Sequence, residues 1–122
     1  MESLIVENQR ITFDYKPSSK EYKNLSETII FIHGVGADKS LWTEWLPHFQ
    51  KEYSTVCLDL PGHGSSDPWI KKSSLNFNFY VNLVREVMKK VGKRKVVLIG
   101  ESMGGTIALA FAAEFPDAVL SI

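Results

Sequence analysis

The sequence predicts an α/β fold: a mostly parallel sheet with flanking helices and an antiparallel hairpin at the N-terminus. Three observations carry that prediction. Residues 28–32, 55–58 and 96–99 are short runs rich in β-branched and aliphatic residues, separated by stretches with helical spacing, the pattern of parallel strands joined by helical crossovers. Each run is close to continuously apolar, as strands buried on both faces are. Ahead of them, residues 9–15 alternate Ile11, Phe13 and Tyr15 with Thr12 and Asp14, the period of a half-buried antiparallel strand.

In chain order, residues 3–7 and 9–15 read as two strands with Asn8 near the turn. Residues 16–27 are polar, with Pro17, Ser18, Ser19 and Asn24, and read as a surface loop. The strand at 28–32 ends at His33-Gly34-Val35-Gly36. Asp38 or Ser40 can then cap a helix through Leu41, Trp42, Trp45 and Phe49. Pro47 divides that helix into two short pieces. The strand at 55–58 runs into Asp59-Leu60-Pro61-Gly62-His63-Gly64-Ser65-Ser66-Asp67-Pro68, a dense turn segment. Ser74 or Asn76 can start the next helix. Its apolar stripe is Phe77, Tyr80, Val81, Val84, Val87, Met88 and Val91, and Gly92 follows as a C-cap. The cationic cluster Lys89, Lys90, Lys93, Arg94 and Lys95 suits the negative end of that helix dipole.

The rest is organised around residues 96–105. An apolar strand leads directly into Gly100-Glu101-Ser102-Met103-Gly104, a G-x-S-x-G sequence, and an Ala-rich helix follows over residues 106–114. Strand, sharp turn and helix are the context of a nucleophile elbow, with Ser102 at the apex in strained backbone. Gly100 and Gly104 are expected where a Cβ would collide with a neighbouring element, and Gly105 where the helix approaches the sheet. Pro116 and Asp117 end the helix, and residues 118–122 begin a further strand.

Composition narrows the function classes. The 122 residues hold 44% hydrophobic residues and balance 14 basic against 14 acidic side chains. That excludes a basic nucleic-acid face and an acidic tail. The N-terminus has no signal-peptide pattern, and no apolar stretch reaches the roughly 18 residues of a membrane span. The single cysteine, Cys57, falls in a strand and reads as a buried reduced thiol, so a cytoplasmic location is expected. No metal, cofactor or internal repeat is indicated.

In a parallel sheet the C-terminal strand ends share one edge, where ligands bind. The loops at 33–36, 59–67 and 100–105 must therefore meet there. Together these three glycine-bearing motifs resemble the α/β-hydrolase superfamily, nearest to its small esterase, lipase and enol-lactonase-like members. The resemblance runs from the first strand to the start of the sixth. It implies that residues 1–122 are the N-terminal portion of a single α/β-hydrolase domain, a truncated α/β-hydrolase fold. It implies Ser102 as the nucleophile acting on a small-molecule acyl substrate. The backbone N–H groups of Val35 and Met103 would form the oxyanion hole, where loss of one donor costs on the order of 3–4 kcal/mol of transition-state stabilisation. His33 would hold the oxyanion loop by hydrogen bonds rather than act in catalysis. Gly34, Gly36, Gly62, Gly64, Gly100, Gly104 and Gly105 would shape the loops, and Ser66 or Asp67 would cap the second one.

Glu101 replaces the histidine common before the nucleophile and is expected to be a structural hydrogen-bonding acid. A serine at 102 weighs against the dehalogenase and epoxide-hydrolase branches, which place aspartate there. In the family the order is Ser, then Asp or Glu, then His. After Ser102 this chain offers only Glu114 and Asp117, and no histidine. The resemblance therefore places the catalytic acid, the base and the cap region in a missing C-terminal half. The chain alone is expected to be inactive. The competing readings are a catalytically incomplete binding or interaction module, and a lyase or synthase on the same fold. Trp42, Trp45, Trp69 and Phe77 are candidates for an apolar acyl pocket, although Trp42 and Trp45 equally fit core positions at helical spacing.

Overall fold

The computed structural model describes residues 1–19, 26–68 and 77–122. Strands β1 (Glu2–Val6) and β2 (Gln9–Lys16) form the expected hairpin. Its two-residue turn is Glu7-Asn8, both at positive φ (48° and 68°), the type I′ geometry that matches strand twist. Glu7 is thus in the turn and not in the strand. β3 (Thr28–Ile32), β4 (Ser54–Leu58), β5 (Val96–Gly100) and β6 (Val119–Ser121) complete a six-stranded sheet in the order β1-β2-β4-β3-β5-β6. β1–β2 and β2–β4 are antiparallel, and β4–β3, β3–β5 and β5–β6 are parallel.

The central strands sort their side chains by parity. Ile30, Ile32, Val56 and Leu58 face one layer, with Leu83, Val84 and Val87 of α2 (Phe77–Val91) and Ile107 and Phe111 of α3 (Met103–Glu114). Ile29, Phe31 and Cys57 face the other, against Trp42 and the partly buried Leu46 and Phe49. That second layer is the divided helix. A 3-10 turn over Lys39–Trp42, capped by the Asp38 side chain on the Ser40 N–H, precedes α1 (Leu46–Phe49). Pro47 lies in the first turn of α1, where its missing N–H costs nothing. Trp42 is core, but Trp45 is 58% exposed, against the core reading. Gly92 ends α2 at φ +72°. The proposed caps Ser74 and Asn76, Trp69 and residues 20–25 lie outside the described residues.

α3 begins at Met103, three residues before the expected start. Gly104 and Gly105 hide its first turn, because glycine is a poor helix former and packing overrides that preference here. Among the described residues no helix is long and apolar enough to cross a membrane.

Candidate active site

β3 lies between β4 and β5, so its loop is flanked by theirs. The turn from β5 to α3 takes only Glu101 and Ser102. Ser102 has φ 56° and ψ −120°, a sparsely populated conformation for a residue with a side chain. The close approach forces the glycines on either side. A methyl group at Gly100 would overlap the Gly104 carbonyl, and one at Gly104 would overlap the Ile32 carbonyl. Gly105 differs from its expected role. A methyl group there would lie 3.5 Å from the Gly100 oxygen, an ordinary contact, so helix–sheet proximity does not require it. Ser102 is exposed, and its hydroxyl has no hydrogen-bond partner among the described residues.

The loop after β3 presses on this turn. A methyl group at Gly34 would come within 3.0 Å of the Ser102 Cβ and 2.7 Å of Glu101 Oε2. The Gly34 N–H donates to Glu101 Oε2 at 3.1 Å, and the Gly36 N–H donates to His63 Nε2 at 3.0 Å. The Ala37, Gly104 and Gly105 N–H groups are also paired. The N–H groups of Val35 and Met103 have no partner among the described residues.

His33 is fully buried. Its Nε2 accepts from the Leu60 N–H at 3.0 Å, so its Nδ1–H is the donor to the Gly34 carbonyl at 2.7 Å. Burial, above all, holds this imidazole below its ordinary pKa, with the His63 ring adding to that and the Gly34 bond and Asp59 opposing it. His63 is built the same way. Its Nε2 accepts from Gly36, and Nδ1 therefore donates to the Pro61 carbonyl at 2.9 Å. The two rings stand 5.1 Å apart. Both nitrogens of both rings are engaged, and neither ring bonds Ser102.

Asp59 anchors the loop after β4, a role that its place at the end of a strand does not announce. Its fully buried carboxylate accepts from the Lys39 N–H (2.9 Å), Lys39 Nζ (3.0 Å), Thr12 Oγ1 (2.9 Å) and the Ser65 N–H (3.1 Å). Desolvation raises its pKa, but these donors outweigh it and hold the carboxyl below the usual range. Gly64, at φ +54°, has no room for a methyl group against that carboxylate. Ser66 Oγ donates to the Asp59 carbonyl at 2.6 Å and accepts from the Thr12 N–H at 2.8 Å. Asp67 accepts from the Arg10 N–H at 3.0 Å. Both residues thus tie the loop to β2. Gly62 and Gly36 turn at φ +77° and +83°.

On the other side of Ser102 an open groove of about 550 Å³ is lined by Leu98, Ile99, Thr106, Leu109 and Ile122, among others. β6 pairs with β5 at Val96 and Val97. Of the aromatic candidates among the described residues, none lines the groove. Trp42 is buried in the opposite layer, and Trp45 and Phe77 lie elsewhere on the surface. Among the described residues no cluster of His, Cys, Asp and Glu is arranged to hold a metal ion.

Residues 27–122 match the family model for the alpha/beta hydrolase fold. The dihydrolipoyllysine-residue acetyltransferase component of the acetoin cleaving system of Cupriavidus necator is 37% identical over 97 residues, which is 80% of this chain and 25% of that protein. Protein ABHD8 of Homo sapiens is 36% identical over 92 residues, 75% of this chain and 21% of its own. Among solved structures, a membrane phospholipase A described as a bacterial virulence factor superposes with a TM-score of 0.82 at 35% identity, over 98% of this chain and 37% of that one. The chain thus spans about a quarter of the length of these two curated relatives. With three glycine-bearing loops on one sheet edge and a strained serine between strand and helix, the chain belongs to the α/β-hydrolase fold family.

Proposed function

We propose that this chain carries the nucleophile and the oxyanion donors of a serine hydrolase acting on a carboxylic ester or related small acyl substrate. The catalytic acid and histidine come from residues outside these 122. One observation carries the reading: an exposed Ser102 hydroxyl without a partner among the described residues lies in contacting loops where the Val35 and Met103 N–H groups are likewise unpartnered while those of Gly34, Gly36, Gly104 and Gly105 are paired.

In this mechanism Ser102 Oγ attacks the acyl carbon as the base removes its proton. The carbonyl oxygen takes the developing charge and is held by the N–H groups of Val35 and Met103. The start of α3 favours negative charge at the same place. Collapse of the tetrahedral intermediate expels the alcohol, which takes the proton from the base, and water then hydrolyses the acyl-enzyme. No step needs a metal or cofactor. Two of the similar proteins, an acetyltransferase component and a phospholipase A, are named for work on acyl groups.

A binding module that has lost its chemistry is the second reading, favoured by the full engagement of both His33 and His63, which leaves neither ring as a base for Ser102. One experiment separates the two. The 122-residue chain and a form continued through the downstream reading frame are assayed on a short-chain aryl ester, each beside its Ser102→Ala variant. The hydrolase reading expects Ser102-dependent turnover in the long form and almost none in the short one. A long form indifferent to Ser102→Ala overturns it.

A further inference from the structure

The free N–H of Val35 sits between two amides that are each held by a different loop. Gly34 donates to the carboxylate of Glu101, beside Ser102, and Gly36 donates to the imidazole of His63 in the loop after β4. An oxyanion donor is useful only when its direction is fixed before the charge develops. A glycine on each side of Val35, with Gly36 at φ +83°, gives this segment no direction of its own. Direction must come from outside, and these two side chains supply it.

We propose that His63 and Glu101 are positioning residues that clamp the Val35 peptide from both sides and aim its N–H at the reaction centre. This inference rests on the hydrolase reading for its catalytic consequence, and on the hydrogen bonds alone for the clamp. His63 is itself braced. Its Nδ1–H is fixed on the Pro61 carbonyl, which presents Nε2 to Gly36 as an acceptor. His33 braces the same two loops one layer deeper, through Leu60 and Gly34. Glu101 acts as an acceptor only, so a glutamine amide oxygen can replace it. A glutamine at 63 can likewise offer an oxygen near the place of Nε2, whereas alanine at either position offers nothing.

The test has a spectroscopic arm and a kinetic arm. In nitrogen-labelled protein, the clamp expects a coupling across the hydrogen bond between the Gly36 nitrogen and His63 Nε2. It expects slow exchange of the Gly36 amide, faster by about tenfold or more in His63→Ala and restored in His63→Gln. In the long, hydrolytically competent form, His63→Ala and Glu101→Ala lower kcat by about ten- to a hundredfold with KM little changed. His63→Gln and Glu101→Gln recover most of the loss. A missing coupling, or alanine and glutamine variants that lose kcat equally, overturns the proposal. A loss that falls on KM instead of kcat does the same. If the long form shows no Ser102-dependent turnover, the hydrolase reading fails, and the coupling and exchange data decide the clamp by themselves.

Discussion

The two flanks of Ser102 are built in opposite ways. On the β3–β4 flank every loop is tied to another. His33 joins Gly34 to Leu60, His63 joins Gly36 to Pro61, and Asp59 joins Lys39, Ser65 and Thr12. On the β5–β6 flank the lining is apolar, with Leu98, Ile99, Ala108 and Leu109 beside Ser102. The same turn therefore has one side fixed by polar bonds and one side lined by apolar side chains.

The two flanks should respond differently to a single methyl group, and this is the largest effect expected. Gly104→Ala drives a Cβ into the Ile32 carbonyl on the closed flank and should cost about 3 kcal/mol, read as a lower urea midpoint with unchanged slope. A Gly104→Ala midpoint equal to wild type would show that β3 and α3 can separate at little cost, and the contrast between flanks would fail.

Acid should also act on the closed flank alone. His33 is held below its usual pKa, chiefly by burial, so the unfolded chain takes up its proton first. Its contribution to stability is intact above the unfolded value near 6.5 and falls as pH drops through that value toward the folded one. Asp59 is also held low, so its contribution persists to lower pH, is intact above the unfolded value near 3.8, and is lost as pH falls through the folded value. Urea midpoints between pH 8 and pH 5 should therefore decline, and His33→Asn should flatten that decline. An unaltered slope in His33→Asn would remove the buried imidazole from the account.

The smallest effects belong to the open flank. Gly105→Ala meets only an ordinary contact and should gain about 0.5 kcal/mol from helix propensity. Leu109→Gln should change stability by no more than about 0.5 kcal/mol while raising solubility. Thermal melts and light scattering check both. A loss of several degrees in either variant would mean that the open flank is packed after all.

Much of the frame was legible because it depends on local pattern. The apolar run at 28–32 coincides with β3, the Asn8 turn with the hairpin, and Gly92 with the end of α2. The placement of three loops on one edge followed from strand direction alone. What stayed hidden depends on contacts between distant residues. Nothing at position 59 announces that its carboxylate folds back onto Lys39 and Thr12. Trp45 and Trp42 share the same helical spacing, yet only one of them is core. Gly105 sits in a motif beside Gly104, and only the geometry shows that one of the two is sterically required.

Cys57 has a consequence of a different kind. It lies in β4, between β2 and β3, 3% exposed, and burial pushes its thiol up to about 12. It is the chain's only cysteine, so no internal disulfide can compete for it. A thiol reagent can reach it only when the layer of Trp42, Leu46 and Phe49 lifts from that face of the sheet, and only then does the sulfur regain ordinary nucleophilicity. Its labelling rate therefore counts openings of that covering layer, and gives a clock for it that needs no engineered probe.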